Sequence, residues 1–282
     1  MKRSVSGIGK PLAESEGFDM PAKKCRQRWL TGVRARSQIR TAAVGALLLA
    51  VQACASAVGT GASCPALPRD HAPVAAIPVN IDLVKRQLID YHKDKTYVAD
   101  IKAVYDVAET YVDSRLGKVT KPAIVLDIDE TVLSNWDAFE TNNFGFFPNA
   151  ARCDIPSKEA CGFNVWIAQM RAPAFDPARD FFNKMKNKGV AIFFVSGRRD
   201  SQRAVTVANL ESQGIFGWSG LTTRPDDEHG SVRPFKTRAR ERIQSVDGYT
   251  IIANIGDQLS DFDGGRTAEC AFKLPNPFYF IE

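Results

Sequence analysis

Apolar side chains recur at helical spacing between residues 80 and 117: Ile81, Val84, Leu88 and Tyr91, then Val98, Ile101, Val104, Ala108 and Tyr111. Asn80 is placed to cap the start and Gly117 to end the stretch, and a break near Asp94–Thr96 makes two helices of it. The pattern then changes. From Ala123 an apolar run leads to Asp127 and Asp129, and it reads as a buried parallel strand with acids at its carboxyl edge. Val190–Ser196 and Tyr249–Asp257 repeat the form, again stopping at polar residues. Helices are expected over 177–188, about 200–213 and about 234–246. The first opens on Pro177 and is followed by Gly189, and the second stops at Gly214. Residues 220–224 predict a short strand and 270–274 a last edge strand. Residues 135–175 have no clean period but hold Trp136, Phe139, Phe144, Phe146, Phe147 and Trp166.

Strands alternating with helices predict an α/β fold: a doubly wound, Rossmann-like parallel sheet preceded by helices. Ligands of such sheets bind beyond the carboxyl ends of the strands. Asp127 and Asp129, Ser196, and Asp257 each end a strand there. Two carboxylates at alternate strand positions point to one side and repel, so both ionise only with a cation between them. Mg²⁺ suits such hard oxygen ligands. The plainer reading of each Asp, a helix N-cap, explains one such site better than three.

Composition changes the picture at the start of the chain. The net charge is +5, yet residues 1–53 hold 10 Lys/Arg against 3 Asp/Glu, while residues 54–282 hold 27 against 29. The bulk of the chain therefore gives no electrostatic reason to expect nucleic acid. Lys23, Lys24, Arg26, Arg28, Arg34, Arg36 and Arg40 precede the apolar run Ala42–Val51, the layout of an export signal with Met1 or Met20 as its start. Val51-Gln52-Ala53-Cys54 is similar to a lipidation box, although Gln52 departs from its usual small or aliphatic residue; Ala53-Cys54-Ala55 and Ala55-Ser56-Ala57 suit ordinary cleavage. The expected layout is an export segment over 1–54, a flexible Pro/Gly/Ala/Ser tether over 55–78 and a folded domain over 79–282. Export to a bacterial periplasm, or anchorage to the outer membrane through lipidated Cys54, follows. Beyond that segment Cys64, Cys153, Cys161 and Cys270 allow three pairings. Cys153–Cys161, close together in a Pro-containing loop, is the favoured bridge. No CxxC occurs and there are only three His, which argues against zinc.

Val125-Leu-Asp127-Ile-Asp129-Glu-Thr131-Val-Leu-Ser-Asn135 resembles the first motif of the haloacid dehalogenase superfamily. Val195-Ser196-Gly197-Arg198, Pro234-Phe-Lys236-Thr and Ile255-Gly-Asp257-Gln-Leu-Ser-Asp261-Phe resemble the other three. Within it the chain is similar to the subfamily IIIB acid phosphatases: bacterial class C enzymes and plant acid phosphatases with their vegetative storage relatives. Ser196-Gly197 is nearer the plant type, and Gln258 stands where class C enzymes often carry Asn.

The resemblance implies a phosphomonoesterase. Asp127 would be the nucleophile and Asp129 the general acid and base, its pKa raised to suit a slightly acidic optimum. Mg²⁺ would be held by Asp127, the backbone carbonyl of Asp129 and Asp257. Asp261 would be a ligand through water or an orienter of Lys236. Ser196 and Gly197 would bind the phosphoryl oxygens. Lys236 would add a cation, and no other lysine lies between Lys188 and Lys273. The cap falls at about 135–175, where Trp136, Phe139 and Phe144 are candidates to stack on a leaving group such as a nucleobase, although packing of the cap itself is the simpler use of each ring. Nucleoside monophosphates and other small phosphomonoesters are the expected substrates. A phosphotransferase using the same intermediate and a non-catalytic surface or storage protein on the same fold are the alternatives. The oligomeric state is open.

Overall fold

The computed structural model describes Cys64 and residues 79–281 apart from 157–158 and 265–267. The expected export segment and the tether, Cys64 excepted, lie outside the described residues. Among those residues no helix is long and apolar enough to cross a membrane.

Helix α1 (Ile81–Lys93) starts where Asn80 accepts hydrogen bonds from the Asp82 and Leu83 amides. Asp94 accepts from the Thr96 amide, and Lys95, at φ 66°, turns the chain into α2 (Thr96–Arg115). One face of α2 is buried through Tyr97, Ile101, Tyr105, Ala108, Tyr111 and Val112. Then follow β1 (Pro122–Leu126), the short helices α3 (Trp136–Thr141) and α4 (Phe163–Ala168), α5 (Asp176–Asn187) and β2 (Ala191–Arg199). The chain ends with α6 (Arg203–Ser212), β3 (Gly220–Arg224), α7 (Arg233–Ser245), β4 (Thr250–Gly256) and β5 (Cys270–Lys273).

The five strands form one sheet in the order β3-β2-β1-β4-β5, and every pair is parallel. Alternate residues of β1, β2 and β4 feed two cores. Ile124, Leu126, Ile192, Phe194 and Ile252 join Tyr97, Ile101, Phe181 and Phe182 on one face. Ala123, Val125, Phe193, Val195 and Ile251 join Phe235, Ala239 and Ile243 on the other. Burial on both faces is why the strands read as unbroken apolar runs. Two disulfides are present, Cys153–Cys161 and Cys64–Cys270, the latter joining residues 206 apart.

The order reverses direction at β1: the chain leaves it for β2 on one side and returns to β4 on the other. That is the switch point of a doubly wound sheet, where a crevice opens beyond the carboxyl ends. Leu126 pairs with Ile255, and the Asp127 amide donates to the Ile255 carbonyl at 3.0 Å. Asp127 and Asp257 therefore emerge side by side into the crevice.

Candidate active site

Asp127 follows β1 directly and is buried. Its Oδ1 lies 3.0 Å from Lys236 Nζ, yet takes no hydrogen bond. Burial pushes this carboxyl well above the usual range. Lys236 opposes the shift, and Asp261, Asp257 and Asp129 add to it. Lys236 sits on the first turns of α7, also buried, and pairs with Asp261 as well. Burial alone would depress its ammonium, but Asp127 and Asp261 outweigh that and leave it raised.

Asp257 follows β4. Its Oδ2 accepts from Gln258 Nε2 and from Asn276 Nδ2, each at 2.7 Å, and Thr131 Oγ1 lies 3.3 Å from Oδ1. Burial, with Asp261 next, raises its pKa to about 7. Asp261 turns back towards β4 and its Oδ2 accepts from the Gln258 amide at 2.9 Å. A Cβ at position 256 would collide with the Asp261 carboxylate, so the approach requires Gly256.

Carboxylate oxygens of Asp127, Asp257 and Asp261 lie within 4.8 Å of one another, all three residues buried. Three acids face one lysine, so all three ionise together only with a further cation between them. A hard divalent cation fits this donor set. Asp261 holds Lys236, one of the two roles expected of it, and it also stands directly beside Asp127 and Asp257.

Asp129 departs from expectation. Its side chain pairs with Arg198, with Nη2 2.7 Å from Oδ1 and Nε 3.1 Å from Oδ2. Asn135 Nδ2 donates to Oδ1 at 2.9 Å. Burial would raise this carboxyl, but the Arg198 guanidinium overrides it and holds the pKa below the usual range. The elevation expected for a general acid is therefore not found in the resting site. The physical reason is that a buried guanidinium, itself held by Thr206 Oγ1, takes the nearest carboxylate as its partner.

Ser196 is buried within β2, which runs on to Arg199, and its Oγ accepts from the Arg198 amide at 3.2 Å, which leaves the hydroxyl hydrogen free to donate. Gly197 is exposed beside it, where the β2–β3 register shifts. Thr131 holds the loop after β1: its carbonyl accepts from Tyr105 Oη on α2 at 3.0 Å.

The aromatic candidates are used in packing. Trp136 is buried, stacked on His92 at 3.8 Å between ring centroids, with the Phe278 and Phe144 rings edge-on at 5.1 and 5.6 Å. Phe139 is buried and stacked on Tyr279 at 4.9 Å. Phe144 is half-buried over Phe278. Stacking of Trp136 and Phe139 on a leaving group is thus corrected to packing, because protein rings already cover them.

Five further residues stand around the site: Glu130, Asn135, Trp166, Asn276 and Tyr279. Glu130, buried at φ 49°, accepts from the Asn135 amide at 2.6 Å and from Tyr279 Oη at 2.7 Å. Burial, then Asp129, raises its pKa to about 7. Trp166 Nε1 donates to Asn135 Oδ1 at 2.8 Å. Glu130 and Asn135 stand inside the first motif, so their nearness was readable. Asn276 and Tyr279 lie far along the chain and carried no signal.

A family model described as HAD superfamily, subfamily IIIB (acid phosphatase) matches residues 60–282. The chain belongs to this family. It is a phosphomonoesterase on the haloacid dehalogenase fold. Acid phosphatase 1 of Solanum lycopersicum is 30% identical over 203 residues, 70% of this chain and 76% of its own. The stem 28 kDa glycoprotein of Glycine max is 33% identical over 196 residues, 68% of this chain and 73% of its own. The crystal structure of the class C acid phosphatase from Bacillus anthracis with tungstate bound shares 27% identity at a TM-score of 0.55, covering 70% of this chain and 86% of that one. Relatives of this acid phosphatase family thus occur in plants and in bacteria.

Proposed function

We propose that this acid phosphatase is exported, depends on Mg²⁺ and acts through an aspartyl-phosphate on Asp127, hydrolysing nucleoside monophosphates and other small phosphomonoesters. The observation that carries the reading is Asp127 itself: a buried carboxylate at a strand end, with an oxygen free of hydrogen bonds beside Lys236, Asp257 and Asp261. A carboxylate so placed is pre-aimed and stripped of water, which favours nucleophilic attack.

In the first step Asp127 forms a bond to phosphorus and the ester oxygen leaves with a proton from Asp129. In the second, Asp129 takes a proton from water as water attacks phosphorus and the bond to Asp127 breaks. Arg198 favours the anionic form of Asp129 that the second step needs, and the first step draws on its protonated fraction, which grows as pH falls. Ser196 and the Gly197 amide donate to the phosphoryl oxygens, and Lys236 offsets their charge. Asp127, Asp257 and Asp261, with the Asp129 carbonyl, would hold Mg²⁺, which when bound neutralises charge between anionic nucleophile and anionic substrate. The segment 135–175 is the cap over this crevice. Export is supported by the basic and apolar segment before residue 54 and by the two disulfides. Lipidation of Cys54 would anchor the enzyme to a membrane.

The test is p-nitrophenyl phosphate hydrolysis in mild acid with Mg²⁺ and with EDTA, beside Asp127→Asn. Turnover that needs the metal and falls by at least about a thousandfold in the variant is expected. Normal turnover by Asp127→Asn would refute the covalent route.

A further inference from the structure

After β5 the chain does not leave the site. Residues Asn276–Ile281 run past it and contact Asp257, Gln258, Glu130 and Trp136. Asn276 Nδ2 donates to Asp257 Oδ2 at 2.7 Å. Its amide cannot be turned round, because Asn276 Oδ1 accepts from the Phe278 amide at 2.9 Å and the Tyr279 amide at 3.4 Å. The local turn therefore fixes which end of the side chain meets the carboxylate.

Gln258 makes a second link. Its Nε2 donates to Asp257 Oδ2 at 2.7 Å and to the Tyr279 carbonyl at 3.3 Å, while its Oε1 accepts from the Ile281 amide at 3.0 Å. One side chain thus joins the acid and the segment at both ends. Tyr279 Oη reaches Glu130 in the β1 loop. The Phe278 ring packs on Tyr97 of α2 and Trp136 of α3.

We propose that Asn276–Ile281 is a strap that positions Asp257 for the cation, with Asn276 and Gln258 as its positioning residues. Two donors on Oδ2 fix the carboxylate plane of Asp257 within the Asp127–Asp257–Asp261 cluster and leave Oδ1 with only the long contact from Thr131. Partners of this kind around a metal ligand set its orientation, and their loss commonly costs tenfold to a hundredfold in affinity. The Gln at position 258 has a chemical reason here: its length lets the amide span from Asp257 to the Ile281 amide. The proposal rests on the cation reading above, and the experiment separates the two.

Mg²⁺ binding to the full chain would be measured by calorimetry, well below the melting temperature, for the wild type, Asn276→Ala and Asn276→Ser. The metal-free melting temperature of each serves as the folding control. Serine keeps an oxygen to accept the Phe278 amide but is too short to reach Asp257, so it removes the bond and spares the turn. Both variants should raise the Kd by about tenfold or more, with Asn276→Ser melting close to the wild type. If Asn276→Ala does not fold, Asn276→Ser alone decides. A folded Asn276→Ser that binds Mg²⁺ as the wild type does overturns the strap and leaves the cation reading intact. A wild type that binds no divalent cation overturns both.

Discussion

Asp127 and Asp129 are two residues apart and are held in opposite ways. Burial pushes Asp127 up, while Arg198 holds Asp129 down. A general acid with a depressed pKa matters most where the leaving group needs its proton. Nitrophenolate departs as a stable anion; the alkoxide of a nucleoside or sugar phosphate does not. Asp129→Asn should therefore lose kcat/KM by about 10²–10⁴-fold on a nucleoside monophosphate, but much less on p-nitrophenyl phosphate. The comparison reads the first phosphoryl transfer, the step in which the ester bond breaks. Equal losses on both substrates would remove Asp129 from protonating the leaving group. The motif around Asp127 was enough to place both acids at the site. Arg198 stands in the second motif, so its pairing with an acid at the site was readable; which acid was not, because it lies 69 residues from Asp129 and only the parallel pairing of β1 with β2 brings the two together.

At the scale of elements, β1, β2 and β4 were legible because each is buried on both faces and leads to a polar residue, while β3 and β5 are short and only partly buried. The helices α1, α2, α5, α6 and α7 were legible from their period and their caps. The segment 135–175 was not, since α3 and α4 are each only 6 residues long, too short to show a period. The parallel order also gathers Asp127, Asp257 and Glu130 at adjoining strand ends, and this has a consequence for stability. Asp257 and Glu130 are raised to about 7, Asp257 from an ordinary 3.8, chiefly by burial. Acids raised on folding bind protons more tightly in the folded state. Their stabilisation is complete below their unfolded values and is lost as pH rises through about 7. In EDTA the melting temperature should fall as pH is taken from acid to slightly alkaline, and Mg²⁺ should flatten that slope by neutralising the same carboxylates. A metal-free protein that grows more stable over that range would contradict the placement of these acids in one dry cluster.

For the molecule as a whole, the two disulfides close loops of very different size. Cys153–Cys161 spans 8 residues and Cys64–Cys270 spans 206. The short bridge could be read from spacing alone. The long one followed only as the pair left over, because its ends meet once the sheet has formed and Cys270 lies on its last strand. If a cross-link acts by restricting the unfolded chain, the short loop is worth about 2.5 kcal/mol and the long one about 5 kcal/mol. At roughly 2–4 °C per kcal/mol for a domain of this size, Cys270→Ser should melt at least about 10 °C below the wild type, and Cys153→Ser by about half as much. Cys270 also lies on the strand that leads into Asn276–Ile281, the segment that contacts Asp257, Glu130 and Trp136. Loss of the long bridge should therefore weaken Mg²⁺ binding as well as the fold, while loss of the short bridge should weaken the fold alone. Thermal melts of the two variants, paired with Mg²⁺ titrations below their transitions, check both parts. Equal drops in melting temperature would reject the loop-size argument, and unchanged Mg²⁺ affinity in Cys270→Ser would show that β5 holds the segment in register without the covalent link.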